Sequence, residues 1–182
     1  MKSRLKNVVS MAVLSAVFVA APAFAQAAET MTDTHIQRIK DNCEAALVTL
    51  GQIHANDAPV YINRNQTYFS ISDKLMARLN SRLTLNRYDA TDLVKTASDY
   101  NVALANFRDN YKSYDNLMTS AIHTDCTKEP VGFYDAVSDA RTARQKIRDS
   151  VDKLTSLIIQ YKDQVNTFEN QHFSGQPGVG KS

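Results

Sequence analysis

Residues 130–168 read PVGFYDAVSDARTARQKIRDSVDKLTSLIIQYKDQVNTF. Within them Phe133, Val137, Ala140, Arg144, Ile147, Val151, Leu154, Ile158, Tyr161, Val165 and Phe168 recur at alternating spacings of four and three. That rhythm marks one face of a helix with 3.6 residues per turn; a strand repeats every two. Pro130 suits the first helical position, where its missing N–H would be unpaired anyway. Working backwards, Leu93, Ala97, Tyr100, Leu104, Phe107, Tyr111, Tyr114, Met118 and Ala121 carry the same rhythm, after a turn at Asn86–Asp89 with Asp89 as the expected N-cap. A first helix starts at Thr34, with Gln37 completing a capping box, and continues through Ile36, Ile39, Cys43, Ala46, Leu50 and Ile53. At Asn56-Asp57-Ala58-Pro59 its frame breaks, then resumes as Ile62, Phe69, Ser72, Met76, Leu79 and Leu83.

Composition closes off the alternatives. The chain has 182 residues, five Gly, four Pro and no Trp. Between Gln26 and Ser174 only Gly51, Gly132, Pro59 and Pro130 remain, far too few turn residues for an all-β or doubly wound α/β domain. The expected fold is all-α: an elongated antiparallel three-helix bundle whose long first helix kinks near Pro59. If Pro59 reverses the chain instead, the same segments make a four-helix bundle. The expected organisation is an export segment (1–25), a polar leader (26–33), the helical domain (34–170) and a disordered tail (171–182).

Lys2, Arg4 and Lys6, the apolar run Val8–Ala21 and Pro22-Ala23-Phe24-Ala25 read as a secretory signal peptide, with cleavage expected after Ala25. An uncleaved segment would be the chain's one membrane attachment. The formal charge of +2 is misleading, because cleavage leaves 18 basic against 19 acidic residues. No global support then remains for a nucleic-acid partner. In an exported chain the two cysteines, Cys43 and Cys126, favour a disulfide. His35, His54, His123 and His172 form no metal-ligand spacing, so no metal and no other cofactor is expected.

Simple heights give the pairing more content. A first helix from Thr34 to Asn86 is about 80 Å long, and the second returns beside it, so level residues have numbers adding to about 175. Ile122 then lies beside Ile53, and an extended connector lifts Cys126 to the level of Cys43. The same reckoning puts Asp57, Tyr114 and Arg144 in one layer. Each is a polar group on an apolar seam, and a lone guanidinium there requires a carboxylate. The expectation is a register-setting polar layer, with Arg64 or Tyr111 as further members and a ligand-binding waist as the alternative.

Other motifs weigh less. Gly175-Gln-Pro-Gly-Val-Gly-Lys-Ser182 matches the phosphate-loop pattern in letters. That chemistry needs a buried strand before it and a helix after it, and here a helix end and polar tail precede, so no nucleotide partner is expected. No Ser lies in a nucleophile elbow, and most carboxylates fall off the seams. Asn65-Gln66-Thr67 matches a glycosylation triplet and reads as incidental. Tyr100, Tyr111, Tyr114 and Tyr161 lie on seams as core residues, while Tyr61, Tyr68, Tyr88 and Tyr134 fall off them and read as exposed aromatic contacts.

A Cys in the first long helix, Asp125-Cys126 before a Pro-initiated helix, Phe133-Tyr134 with Ala140-Arg141, and Lys74-Leu-Met-Ala-Arg-Leu-Asn80 together resemble uncharacterised secreted helical proteins of small-genome, host-associated bacteria. The resemblance covers most of residues 35–170. It implies export and a helical fold, and no activity, ligand or functional residue. By shape alone the architecture is similar to periplasmic helical chaperones, although Leu83-Thr84-Leu-Asn-Arg87 lacks the Gln of one such family's motif. The function expected is therefore non-catalytic: an interaction or structural module of the cell envelope or exterior, meeting a protein or envelope component. A holdase chaperone is the alternative, and a hydrolase with an unrecognised site the second alternative.

Overall fold

A computed structural model describes residues 31–173. The export segment with its cleavage site, most of the polar leader and the glycine-rich run 175–182 lie outside the described residues. Helix formation begins earlier than expected, at Thr32. Its backbone is extended and its Oγ1 accepts the His35 N–H at 3.4 Å, so it takes the capping role expected of Thr34, which lies inside the helix. Helix α1 spans Asp33–Asp41 and pauses at Asn42, whose side-chain amide donates to the Arg38 carbonyl. Helix α2 follows over Cys43–Ser70 and runs through Pro59 without interruption. Ala55 and Pro59 are both exposed, so water can satisfy the Ala55 carbonyl that loses its N–H partner. The reversal required by a four-helix reading is absent there.

The frame shift lies further on, in a π-helical turn at Ile71–Met76. There the Ala77 N–H reaches back five residues to the Ser72 carbonyl, inserting one extra residue into the helical count. Counting back by sevens from Met76 and Leu83 lands on Phe69 and Ile62; subtracting the extra residue lands on Tyr68 and Tyr61. The second pair faces the core. Tyr68 is buried and Tyr61 packs against the same core cluster, while Ile62 and Phe69 point outward with half their surface exposed. This corrects the expected seam and removes Tyr61 and Tyr68 from the exposed aromatics; Tyr88 and Tyr134 stay exposed. Two buried phenols hold the π turn at its ends. Tyr100 donates to the Tyr68 carbonyl (3.1 Å), and the Tyr161 hydroxyl lies 2.8 Å from Asn80 Oδ1 and 3.3 Å from the Met76 carbonyl.

Helix α3, Ala77–Leu85, ends at Asn86 with Arg87 in the left-handed region (φ 61°). The Arg87 N–H bonds to the Thr84 carbonyl and the Tyr88 N–H to the Leu83 carbonyl, the paired bonds of a Schellman stop that usually uses glycine. Helix α4 runs over Thr91–His123. Its cap position is Ala90, but Asp89 supplies the chemistry: its Oδ1 accepts from both the Thr91 N–H and Oγ1. An Asp125 turn repeats the device before α5, accepting from Thr127 and Lys128, and these bonds hold the Asp125 carboxyl well below the usual carboxylate range. Helix α5 runs over Pro130–Phe173. Residues 171–173, expected in the tail, belong to this helix, and Phe168, His172 and Phe173 pack against Tyr88.

All regular structure among the described residues is helical. Cross-helix bonds His54–Asp115, Ser72–Asn101 and Asn80–Leu93 show α4 running back along the preceding chain, while Asn110–Ser150 ties α4 to α5. Most buried residues lie on α4 and α5, with Tyr100, Phe107 and Leu154 fully enclosed. Each such side chain contributes on the order of 1.5–3 kcal/mol. The opposite holds for the start of the chain: α1 buries no residue and α2 only Tyr68. No helix among the described residues is long and apolar enough to cross a membrane.

Candidate functional site

Cys43 and Cys126 are bonded, with Cα atoms 5.5 Å apart. A disulfide fits an extracellular or otherwise oxidising compartment. It joins the start of α2 to the connector before α5, and Cys126 is fully buried.

Asp57, Tyr114 and Arg144 meet at the waist of the molecule. Arg144 Nη2 donates to Asp57 Oδ1 at 2.7 Å, and Tyr114 OH donates to Asp57 Oδ2 at 2.6 Å. Asp57 falls in this layer because Leu50, Ile53, Asp57, Tyr61 and Tyr68 form one continuous seam through Pro59. Burial, and next the bond to the Asp57 carboxylate, push the Tyr114 phenol well above its ordinary value. Beside the triad, Tyr111 stacks on Tyr61, and burial also raises the Tyr111 phenol. Arg64 and Arg148 line the same cleft of about 280 Å³ and hold no hydrogen bond or ion pair among the described residues. The cleft is thus a cationic notch with an aromatic wall.

Both oxygens of Asp57 are occupied, which suits a fastening better than a general base. The guanidinium is half-exposed and the carboxylate largely covered, so the ion pair contributes at most about 1 kcal/mol, whereas the phenol–carboxylate bond contributes ~1.5–3 kcal/mol. Arg144→Met should therefore cost more in the otherwise native protein than in a background carrying Asp57→Asn. Urea denaturation of the double-mutant cycle should show a coupling of at least about 0.5 kcal/mol. Strictly additive costs would contradict the pairing.

Two polar contacts near the waist escaped the sequence reading. His54 Nε2 lies 2.7 Å from Asp115 Oδ1, and Arg108 Nε donates to Asn65 Oδ1 at 2.7 Å, which occupies the amide of the glycosylation-like triplet. The antiparallel heights, applied to every polar residue rather than to seam residues alone, would have paired both.

Above the waist lies an apolar slot of about 510 Å³. Ala46, Leu50 and Ile53 form one wall, Phe133, Val137 and Ala140 the other, and Met118 the floor. It exists because α2 stands off from α5 here, leaving Ala46, Leu50 and Ile53 only partly covered. The outward face of α2 carries a second apolar feature. Val48, Gln52, Ala55, Pro59, Ile62, Gln66 and Phe69 alternate at four and three, and all are exposed. Between Ala45 and Ser72 only Asp57 and Arg64 are charged, where the chain average of 22% would place about six.

Among the described residues no cluster of three or more His, Cys, Asp or Glu is arranged to hold a metal. Comparison of the chain with protein-family profiles, curated proteins and solved structures finds no match.

Proposed function

We propose that this is an exported, non-catalytic interaction module: an elongated antiparallel bundle of three arms that meets a helix of another envelope protein through the outward face of α2. The single observation that carries this reading is the exposed stripe from Val48 to Phe69. A four–three stripe is half of a coiled-coil seam, and Gln52 and Gln66 take the seam positions where a polar residue sets register. Charge depletion points the same way, since charged residues are scarce at the cores of interfaces. The disulfide supports the exported part of the reading.

The test uses the mature chain and isolated envelopes of the producing cell. Binding should be saturable, and Ile62→Glu with Phe69→Glu should abolish it. Both side chains are half-covered and the Arg108 guanidinium lies 5.9 Å from the Phe69 ring centroid, so the pair should cost roughly 1.5–3 kcal/mol while leaving the chain folded. Equal binding by the double variant would overturn the reading. So would suppression of client aggregation at stoichiometric ratios without saturable binding, which would favour a holdase.

A further inference from the structure

We infer that the slot between the start of α2 and α5 binds a long-chain fatty acid, with its carboxylate at Arg141 and Arg144. This site is separate from the outward stripe and does not depend on it. Dimensions select the class of ligand. From Ile39 to Ile53 the slot runs ~21 Å at 1.5 Å per residue, so about 510 Å³ leaves a mean cross-section near 24 Å². A helix, ~10–12 Å wide, has a cross-section of roughly 80–110 Å² and is too wide to sink into the slot. One extended hydrocarbon chain fits, and the length exceeds the ~15 Å that one leaflet's chains occupy in a bilayer.

Ile39 on α1, which packs on α5, lines the upper part of the slot, and the Arg144–Asp57 bridge joins α5 to α2 below it. The lining is mainly apolar, with Asn42, Thr49, Tyr114 and Tyr134 as its polar groups besides the arginines. A largely apolar wall with a few polar groups is what a site for an apolar ligand needs. Charge selects the head. No carboxylate lines the slot, while Arg141 and Arg144 lie together at the lower end of its α5 wall. Arg141 is exposed and makes no hydrogen bond or ion pair among the described residues, and Arg144 commits one nitrogen to Asp57 and keeps others free. A guanidinium fork matches a carboxylate in two-point geometry.

The experiment is displacement of a fluorescent fatty acid from the oxidised mature protein, below micellar concentrations, by palmitate, hexadecanol or hexadecyltrimethylammonium. Palmitate should bind one to one and compete best. Ala46→Phe, which fills the slot, should weaken palmitate by at least about tenfold. Arg141→Gln, on an exposed side chain that the fold does not use, should weaken palmitate about tenfold and leave hexadecanol unchanged. The surface variant keeps the question open to refutation even if the filled slot disturbs folding. Absence of palmitate binding, equal competition by all three amphiphiles, or palmitate affinity unchanged by Arg141→Gln would each overturn the assignment, as would displacement by an apolar peptide and not by palmitate.

Discussion

Breaking the Cys43–Cys126 bond should lower the unfolding free energy by up to about 4.5 kcal/mol while leaving most of the helix signal in place. The size comes from the loop: the cysteines are 83 positions apart, so the bond removes much of the freedom of the unfolded chain. The retention of helix comes from where the core sits. The larger hydrophobic cluster joins Met76 and Leu83 with Tyr100, Phe107, Leu154 and Tyr161, and includes neither cysteine. By contrast α1 buries nothing, so the covalent bond is the main restraint on α1 and the first turns of α2. Urea titrations of oxidised and reduced protein, read by circular dichroism and by hydrogen exchange, should show amides of Asp33–Leu50 losing protection while α4 and α5 keep theirs. Uniform loss of protection along the chain would contradict this distribution of stability.

A second large effect is expected in alkali. Burial raises the phenols of Tyr68, Tyr100, Tyr111, Tyr114 and Tyr161, the last to about 12. A group whose folded pKa exceeds its unfolded value gives stability that is complete below the unfolded value, near pH 10, and is lost as pH rises toward the folded one. Tyr161 alone should take away on the order of 2–3 kcal/mol by pH 12. Tyr100 and Tyr114 add to it, and ionised Tyr100 and Tyr161 no longer donate to the carbonyls flanking the π turn. Helix content and tyrosinate absorbance should therefore change together between pH 10 and 12. Complete ionisation of these phenols with the helix signal intact would refute their enclosure.

The seams of α4 and α5 were legible in outline because nothing interrupts their four–three spacing. The buried face is broader than the stripe: Thr96, Ala103, Ala143, Ser150 and Leu157 are buried beside it, while Val137, Val151 and Ile158 are only partly covered. Asp57, Tyr114 and Arg144 could be brought to one layer from counting alone, since antiparallel helices convert residue numbers into heights. The seam of α2 beyond Pro59 could not. Whether a helix inserts a π turn depends on partners for the freed carbonyls, and those partners, Tyr100 and Tyr161, come from distant parts of the chain. Proline drew attention to the wrong place: Pro59 is exposed and the helix absorbs it. Slot and stripe both needed the spacing between helices, although the scarcity of charge from Ala45 to Ser72 was visible as letters. The cap at Thr32 was hidden by Thr34, a residue of the same type two places on.

The partner of the outward face of α2 can be trapped by site-specific photo-cross-linking in the producing cell. A photoreactive residue at Ile62 would be compared with one at Lys153, which is also exposed but lies on α5. A discrete adduct of higher mass is expected from position 62, abolished by Phe69→Glu, and none from position 153. Adducts from both positions, or from neither, would contradict the proposed contact.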